Sequence, residues 1–356
     1  MKKLTRQSNY ELLRILCMLM VMCGHLCGHR YASVTSVSGD DLVMLHFVRS
    51  FTKAAVDTFI LLSGFFGVKF KLDRLLHLLF QIFCFSVLMF SVSVLLGWHE
   101  VSIVKDFLVF FPVFSNQYWF ITAYIILYLI APFLNKGCEN LSRQSYLFLL
   151  GIGFVLFYLW PSFTSLVNAS YIIGDSGYGI VNFVYLYFLG RYIKLHGSLT
   201  HSFKFYFGLY LTSCLLLFLA HYSLSSLFGF TFTAYYAHNT IFILIGAILL
   251  FCSFSKLKFQ SSFINNLAKS CLAVYLIHYA PRFWHNFCNH VLSLNETNGV
   301  MLLCLVLFVP IGIYVICHFM EKTRHLLFNS LENKIIDSLV QTKVARYISQ
   351  KYSEIS

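Results

Sequence analysis

Residues 22–30, MCGHLCGHR, place two cysteines and two histidines within nine positions. These side chains ligate zinc, and a positioned imidazole is also the most frequent general base in enzymes. Eleven positions before His25 stands Arg14, and three before that stands Glu11. At about 100° per residue, an eleven-residue step is close to three helical turns, so Arg14 and His25 face one way, roughly 16 Å apart along the axis. Glu11 is placed to pair with Arg14. The same periodicity sets Cys23 and Cys27 about 200° away from His25 and His29. One tetrahedral zinc site from all four is geometrically poor, and no metal is expected. What remains is a cation and an imidazole on one stripe, a pattern suited to anion binding and proton transfer. The plain alternatives are an Arg14 that snorkels to the surface and a His25 that only packs.

Two further stretches carry such groups. In HFVRSFTKAAVDTFILLSGFFGVKF, His46, Arg49, Lys53 and Asp57 fall at steps of three, four and four, which is one helical stripe. Lys53 and Asp57 either neutralise each other or meet a substrate. A stripe this polar does not face lipid, so it is expected to line a cavity. Ser63, beside Gly64, suits close helix packing as well as a cavity wall. In SCLAVYLIHYAPRFWHNF, His278, Arg282 and His285 share a helical face, with a kink expected at Pro281. Trp119, in NQYWFITAYIILYLIAP, reads as an interfacial aromatic or a cavity residue.

The elements that must hold these groups follow from composition. The chain has 356 residues, 58% hydrophobic and only 11% charged, with 39 Phe and 22 Tyr. That is far from any soluble globular domain. The fold class is an all-α polytopic transmembrane bundle of about ten spans, near 9–29, 46–68, 75–97, 117–135, 145–161, 179–195, 205–228, 232–254, 267–287 and 299–320. The first span is not a removed signal peptide, since it carries Glu11 and Arg14 and lacks a small-x-small cleavage site. Residues 1–325 form the membrane domain, and 326–356 a basic cytoplasmic tail that belongs to a mixed stretch beginning at Glu321. Most of the eleven cysteines sit in apolar runs as small packers.

The net charge of +12 is a matter of topology. With the N-terminus in the cytoplasm, 20 of the 26 basic residues fall on cytoplasmic segments, while Asp40, Asp41, Glu100, Asp106, Asp175 and Glu296 fall outside. Both termini are then cytoplasmic. The basic groups face anionic membrane lipid or a cytosolic anion, and nucleic acid is not a partner. A polar interior with a cationic mouth fits two readings, an enzyme using an anionic cytosolic donor and a transporter or flippase for an anionic or acylated glycan precursor.

The chain resembles the acyltransferase-3 family of bacterial membrane-bound O-acyltransferases along essentially its whole length. The resemblance rests on YELLRILCMLMVMCGH, with the Arg-x10-His pattern as Arg14 and His25. It rests also on VDTFILLSGFF, on YWFITAYIILYLIAPFLN and on AVYLIH ending at His278. The resemblance implies a multi-pass protein of the bacterial inner (plasma) membrane. It implies acyl-CoA, usually acetyl-CoA, as co-substrate with no permanently bound cofactor. The acceptor it implies is a hydroxyl of a cell-surface carbohydrate or its lipid-linked precursor. A lipid- or antibiotic-modifying enzyme would differ only in acceptor. In the family the Arg and His of the first helix are required for transfer. An Arg-x-x-Arg pair commonly follows the second helix; here it is Lys71-x-x-Arg74, and an ammonium does not replace a bidentate guanidinium. Some relatives carry a fused esterase-like domain; this chain ends 36 residues after its last predicted span and is expected to act alone or with a separate partner.

On this reading His25 is the candidate base, taking a proton from the acceptor hydroxyl as it attacks the thioester. Arg14 holds the donor or, with Glu11, fixes the helix. Asp57 orients His25. Lys71, Arg74, Arg143, Arg191 and Lys194 bind the donor phosphates. Glu11, Arg49, Lys53, Ser63, Trp119, His278 and Arg282 line the cavity.

The topology has a direct test. Single cysteines beside Asp40 and Asp175, in a cysteine-depleted background, should label with an impermeant maleimide in intact cells. Labelling at 175 only after permeabilisation would break the ten-span arrangement.

Overall fold

A computed structural model describes residues 6–33, 39–102, 106–166, 175–228, 236–281 and 283–355. All regular structure among these residues is helical. The chain opens with α1 (Ser8–Ser33), α2 (Gly39–Thr52), α3 (Ala55–Phe66), α4 (Leu72–Leu95) and α5 (Trp119–Asn140). Then come α6 (Arg143–Phe154), continued through a π-turn into α7 (Trp160–Leu166), α8 (Ile180–His196), α9 (Phe203–Phe228) and α10 (Ile241–Ser255). The rest is α11 (Ser262–Leu267), α12 (Cys271–His278), α13 (Phe283–Asn286), α14 (Gly299–Val340) and α15 (Lys343–Ile355). Among the described residues, six helices are long and apolar enough to cross a membrane: α1, α4, α5, the run from Arg143 to Thr164, α9 and α14. The other predicted spans are the shorter α8 and α10 and two broken segments.

Both breaks correct the sequence reading. The span predicted over 46–68 divides between Thr52 and Ala55. Ser50 and Thr52 donate side-chain hydrogen bonds back to the carbonyls of His46 and Arg49, in competition with the helical ladder. The span predicted over 267–287 stops at His278. Pro281 lacks an N–H and disfavours helical backbone at Ala280, so the helix ends where only a kink was expected. The stretch read as a mixed tail from Glu321 is itself helical. No Pro or Gly interrupts residues 321–340, and Arg324 bonds Glu321 one turn back.

The chain forms two compact units. The first gathers Met1–Gly67, Cys138–Lys269 and Asn298–Leu307; the second gathers Val68–Gly137, Ser270–Thr297 and Phe308–Ser356. In the first, α3 and α8 touch backbone to backbone. A Cβ at Gly64 would collide with the Tyr187 carbonyl, and one at Gly190 with the Leu61 carbonyl. Without a hydrophobic drive between helices in lipid, such close approach is what holds them. The start of α1 is tied to the other end of the unit. Ser8 accepts from Ser261 N–H at 2.9 Å, and the Asn9 amide donates to the Phe254 carbonyl at 3.1 Å.

In the second unit α4 carries the contacts. His77 meets Glu332 at 2.6 Å, and Glu332 also accepts from Arg324 at 2.8 Å, joining α4 to α14. The Tyr118 hydroxyl donates to the Leu276 carbonyl at 3.1 Å, joining the start of α5 to α12.

The glycine contact sets a stability prediction. Gly64→Val overpacks the α3–α8 crossing and should cost about 1–3 kcal/mol, read as a lower thermal unfolding midpoint in detergent. Gly208→Ala, with nothing within 4 Å of its added Cβ, should leave the midpoint near wild type. Equal midpoints for both variants would rule out the backbone contact.

Candidate functional site

The first unit collects most of the predicted site residues. On α1, Cys23 and Cys27 are buried while His25 and His29 are half-buried, so the two pairs face different ways as the helical period requires. Glu11 is buried, and Arg14 donates to both its oxygens at 3.1 and 3.3 Å. Arg6 stands 3.6 Å from the same carboxylate. The expected Glu11–Arg14 pair is therefore formed, with the Arg14 side chain 37% exposed.

The stripe from His46 to Asp57 survives the helix break because it converges on one short segment, Tyr236–Thr240. His46 stacks on Tyr236, with ring centroids 5.6 Å apart, and meets His221 of α9 at 4.1 Å. The Arg49 guanidinium lies 4.6 Å from the Tyr236 ring centre, in cation–π range. Lys53 donates to the Tyr178 hydroxyl at 3.3 Å and contacts His238 Nε2 at 3.3 Å. His238 Nδ1 lies 3.3 Å from Asp57 Oδ1. An ammonium can only donate, so Nε2 must accept and the ring proton belongs on Nδ1, toward Asp57. Asp57 and His238 are both buried. Neither Asp57 oxygen receives an aligned hydrogen bond among the described residues.

One backbone bond and the packing around it hold His238 in place. Its N–H donates to the Ser176 carbonyl at 2.9 Å. Gly177 has φ of 78°, and a Cβ there would strike His238 and Asn239. The Tyr236 hydroxyl donates to the His46 carbonyl at 3.1 Å and pairs with Ser50. The turn at 175–178 thus clasps the segment from one side and α2 from the other.

His238 and His221 were not picked out from the sequence. The imidazole that faces Asp57 is His238, where the sequence reading paired that carboxylate with His25. The signal lay in YYAHNT, a polar interruption before the apolar run of α10, which the span predicted at 232–254 absorbed. Ser63 donates to the Phe59 carbonyl of its own helix at 3.0 Å.

The expected donor-binding cations differ in state. Arg191 is buried and donates to Glu139 at 2.7 Å. Lys194 is exposed, 4.9 Å from the Phe65 ring centre, and Arg143 is exposed at the start of α6. In the second unit Lys71 and Arg74 are exposed. The Lys71 backbone is clamped by Tyr128, whose hydroxyl accepts from its N–H at 2.9 Å.

His278 and Trp119 also belong to the second unit. His278 is buried and donates Nδ1–H to the Val274 carbonyl at 2.6 Å, as it must since a carbonyl only accepts. Trp119 is half-buried at the start of α5. Arg282 lies outside the described residues. The break after His278 removes the continuous face on which His278, Arg282 and His285 were expected. His285 instead bonds Asn289 at 3.0 Å.

Compared with known proteins, residues 7–319 match the acyltransferase-3 family model, described as an acyltransferase domain. No curated protein and no solved structure matches the chain. With that domain across residues 7–319 and helices apolar enough to span a bilayer, the chain belongs to the acyltransferase-3 family and is a membrane acyltransferase.

Proposed function

We propose that the protein is a bacterial plasma-membrane O-acyltransferase that moves an acetyl group from cytosolic acetyl-CoA to a hydroxyl of a cell-surface carbohydrate or its lipid-linked precursor. The observation that carries the reading is the buried Asp57–His238 pair with half-buried Lys53 on the far ring nitrogen, in the same unit as the α1 stripe of Arg14 and His25. Intramembrane ionisable groups are costly and cluster where chemistry or passage takes place.

In this mechanism the acceptor oxygen attacks the thioester carbonyl carbon as its proton passes to His25. The tetrahedral intermediate collapses with cleavage of the carbon–sulfur bond. The imidazolium returns the proton to the departing CoA thiolate, so the enzyme ends as it began. Asp57 and His238 act as positioning residues. Lys53 sets the His238 tautomer by donating to Nε2, and the negative charge of Asp57 offsets the positive charge that His25 gains in the transition state. Lys53 holds the far ring nitrogen. Arg14, half-exposed and already oriented by Glu11, supplies a fixed cation for the donor.

Purified protein in lipid nanodiscs, given radiolabelled acetyl-CoA and a glycan acceptor, tests the assignment. His25→Ala should lower transfer about 10²–10⁴-fold with donor binding kept. Asp57→Asn and His238→Gln should lower kcat and leave KM for the donor nearly unchanged. Cys23→Ala and Cys27→Ala should stay near wild type. Full activity in His25→Ala would remove the base from this scheme, and wild type that consumes no acetyl-CoA would remove the donor.

A further inference from the structure

The sequence places donor phosphates at Lys71, Arg74, Arg143, Arg191 and Lys194 and assigns the last residues no part in the site. The second unit brings these parts of the chain together. The Tyr352 ring of α15 stacks on Phe70, with centroids 3.7 Å apart and planes 19° from parallel. The Tyr352 hydroxyl donates to the Leu129 carbonyl at 3.1 Å, and Phe133 meets the ring edge-on. One aromatic side chain thus anchors the last helix against the segment between α3 and α4 and against α5.

A cleft of about 370 Å³ remains between α15 and that segment. Lys69, Lys71 and Asp73 line one wall, and Ser349, Tyr352 and Ser353 line the other, over an apolar floor. The segment wall is rigid. Tyr128 bonds both the N–H and the carbonyl of Lys71, and the Asn135 amide donates to the Val68 carbonyl at 2.9 Å. The two lysine stems are therefore fixed at their roots while their ammonium groups stay exposed. Among the lining residues, Asp73 is the single carboxylate against two ammonium groups.

We infer that this cleft is a binding site for a phosphorylated nucleotide and that α15 is its second wall. Ammonium groups take phosphate oxygens, the serine hydroxyls take ribose or phosphate, and the apolar floor takes the flat base. The volume is at the small end of ligand pockets. It suits the nucleotide part of the donor, 3′,5′-ADP, with the acyl-bearing arm extending beyond it. The inference rests on the acyl-CoA reading above and adds the residues and the helix that hold the nucleotide end. The same chemistry would attract an anionic lipid headgroup, so the test separates the two sources.

Calorimetry on the full chain in lipid-free detergent, with CoA and with 3′,5′-ADP, is the measurement. Wild type should bind both. The double change Lys69→Gln with Lys71→Gln should weaken both by about 10- to 100-fold, the worth of one or two charge-assisted hydrogen bonds. Ser349→Trp, which fills the cleft and leaves the Tyr352 anchor intact, should do the same, while Lys204→Gln in the other unit should not. Unchanged affinity in the double variant and in Ser349→Trp, with wild type binding CoA, would overturn the cleft and leave the donor reading standing. Binding of 3′,5′-ADP that Ser349→Trp abolishes, in a protein that consumes no acetyl-CoA, would support the cleft and remove the donor reading. Binding of phosphatidylglycerol nanodiscs but of neither nucleotide would assign the site to lipid and overturn the inference.

Discussion

A carboxylate buried in a helix of apolar residues sets the geometry of the first unit. Asp57 has no exposed surface. Taking a carboxylate out of water costs several kcal/mol unless cations or donors surround it. The segment before α10 supplies His238, whose far ring nitrogen meets Lys53 from the break just before α3. His238 can reach Asp57 only because the turn at 175–178 holds its backbone and because α2 receives the Tyr236 hydroxyl. The break between α2 and α3 is part of the same solution, since Ser50 and Thr52 bond backward just before Lys53 swings to the ring. One buried charge therefore orders two helices and two loops that are far apart in sequence.

The second unit contains a contrasting case. Glu332 is also buried and also faces a histidine and a cation. There both carboxylate oxygens are taken, one by His77 at 2.6 Å and the other by Arg324 at 2.8 Å. A fully bonded carboxylate has little left to offer and works as a clasp between α4 and α14. Asp57 has His238 Nδ1 at 3.3 Å, without an aligned bond to either oxygen among the described residues. An array held at that looser distance can tighten when a proton arrives next to it, which is what catalysis by His25 would ask of it.

Much of this was legible in the sequence because helical periodicity is strict. The opposed faces of Cys23 and His25, the Glu11–Arg14 pair and the polarity of the His46–Asp57 stripe all follow from a fixed angle per residue. What escaped was set by long-range contacts. His238 lies 181 positions from Asp57, and no local pattern marks the pair. The two helix breaks arise from side chains competing for backbone carbonyls and from one proline, where a hydropathy window sees only continuous apolar sequence. The packing of α15 turns on Tyr352, a single residue in a stretch whose composition reads as a solvated tail.

The basic residues divide by partner, and the division bears on what they do. Arg14, Arg191 and Arg324 each meet a carboxylate within 3.1 Å. Arg324 uses its planar fork for this, with Nε and Nη2 on the two oxygens of Glu321. Lys69, Lys71, Arg74 and Lys194 instead stay exposed at helix ends and on the connecting segment. A topology signal needs only that positive charge lie on one side of the membrane, so exposed lysines at any position would serve it. It does not need the backbone of Lys71 to be clamped by Tyr128, or a C-terminal helix to be anchored by Tyr352 across from it. Ordering a chain costs roughly 1–2 kcal/mol per residue. Fixed placement of the exposed Lys69 and Lys71 beside a cleft is what the inferred nucleotide site requires and what topology alone does not.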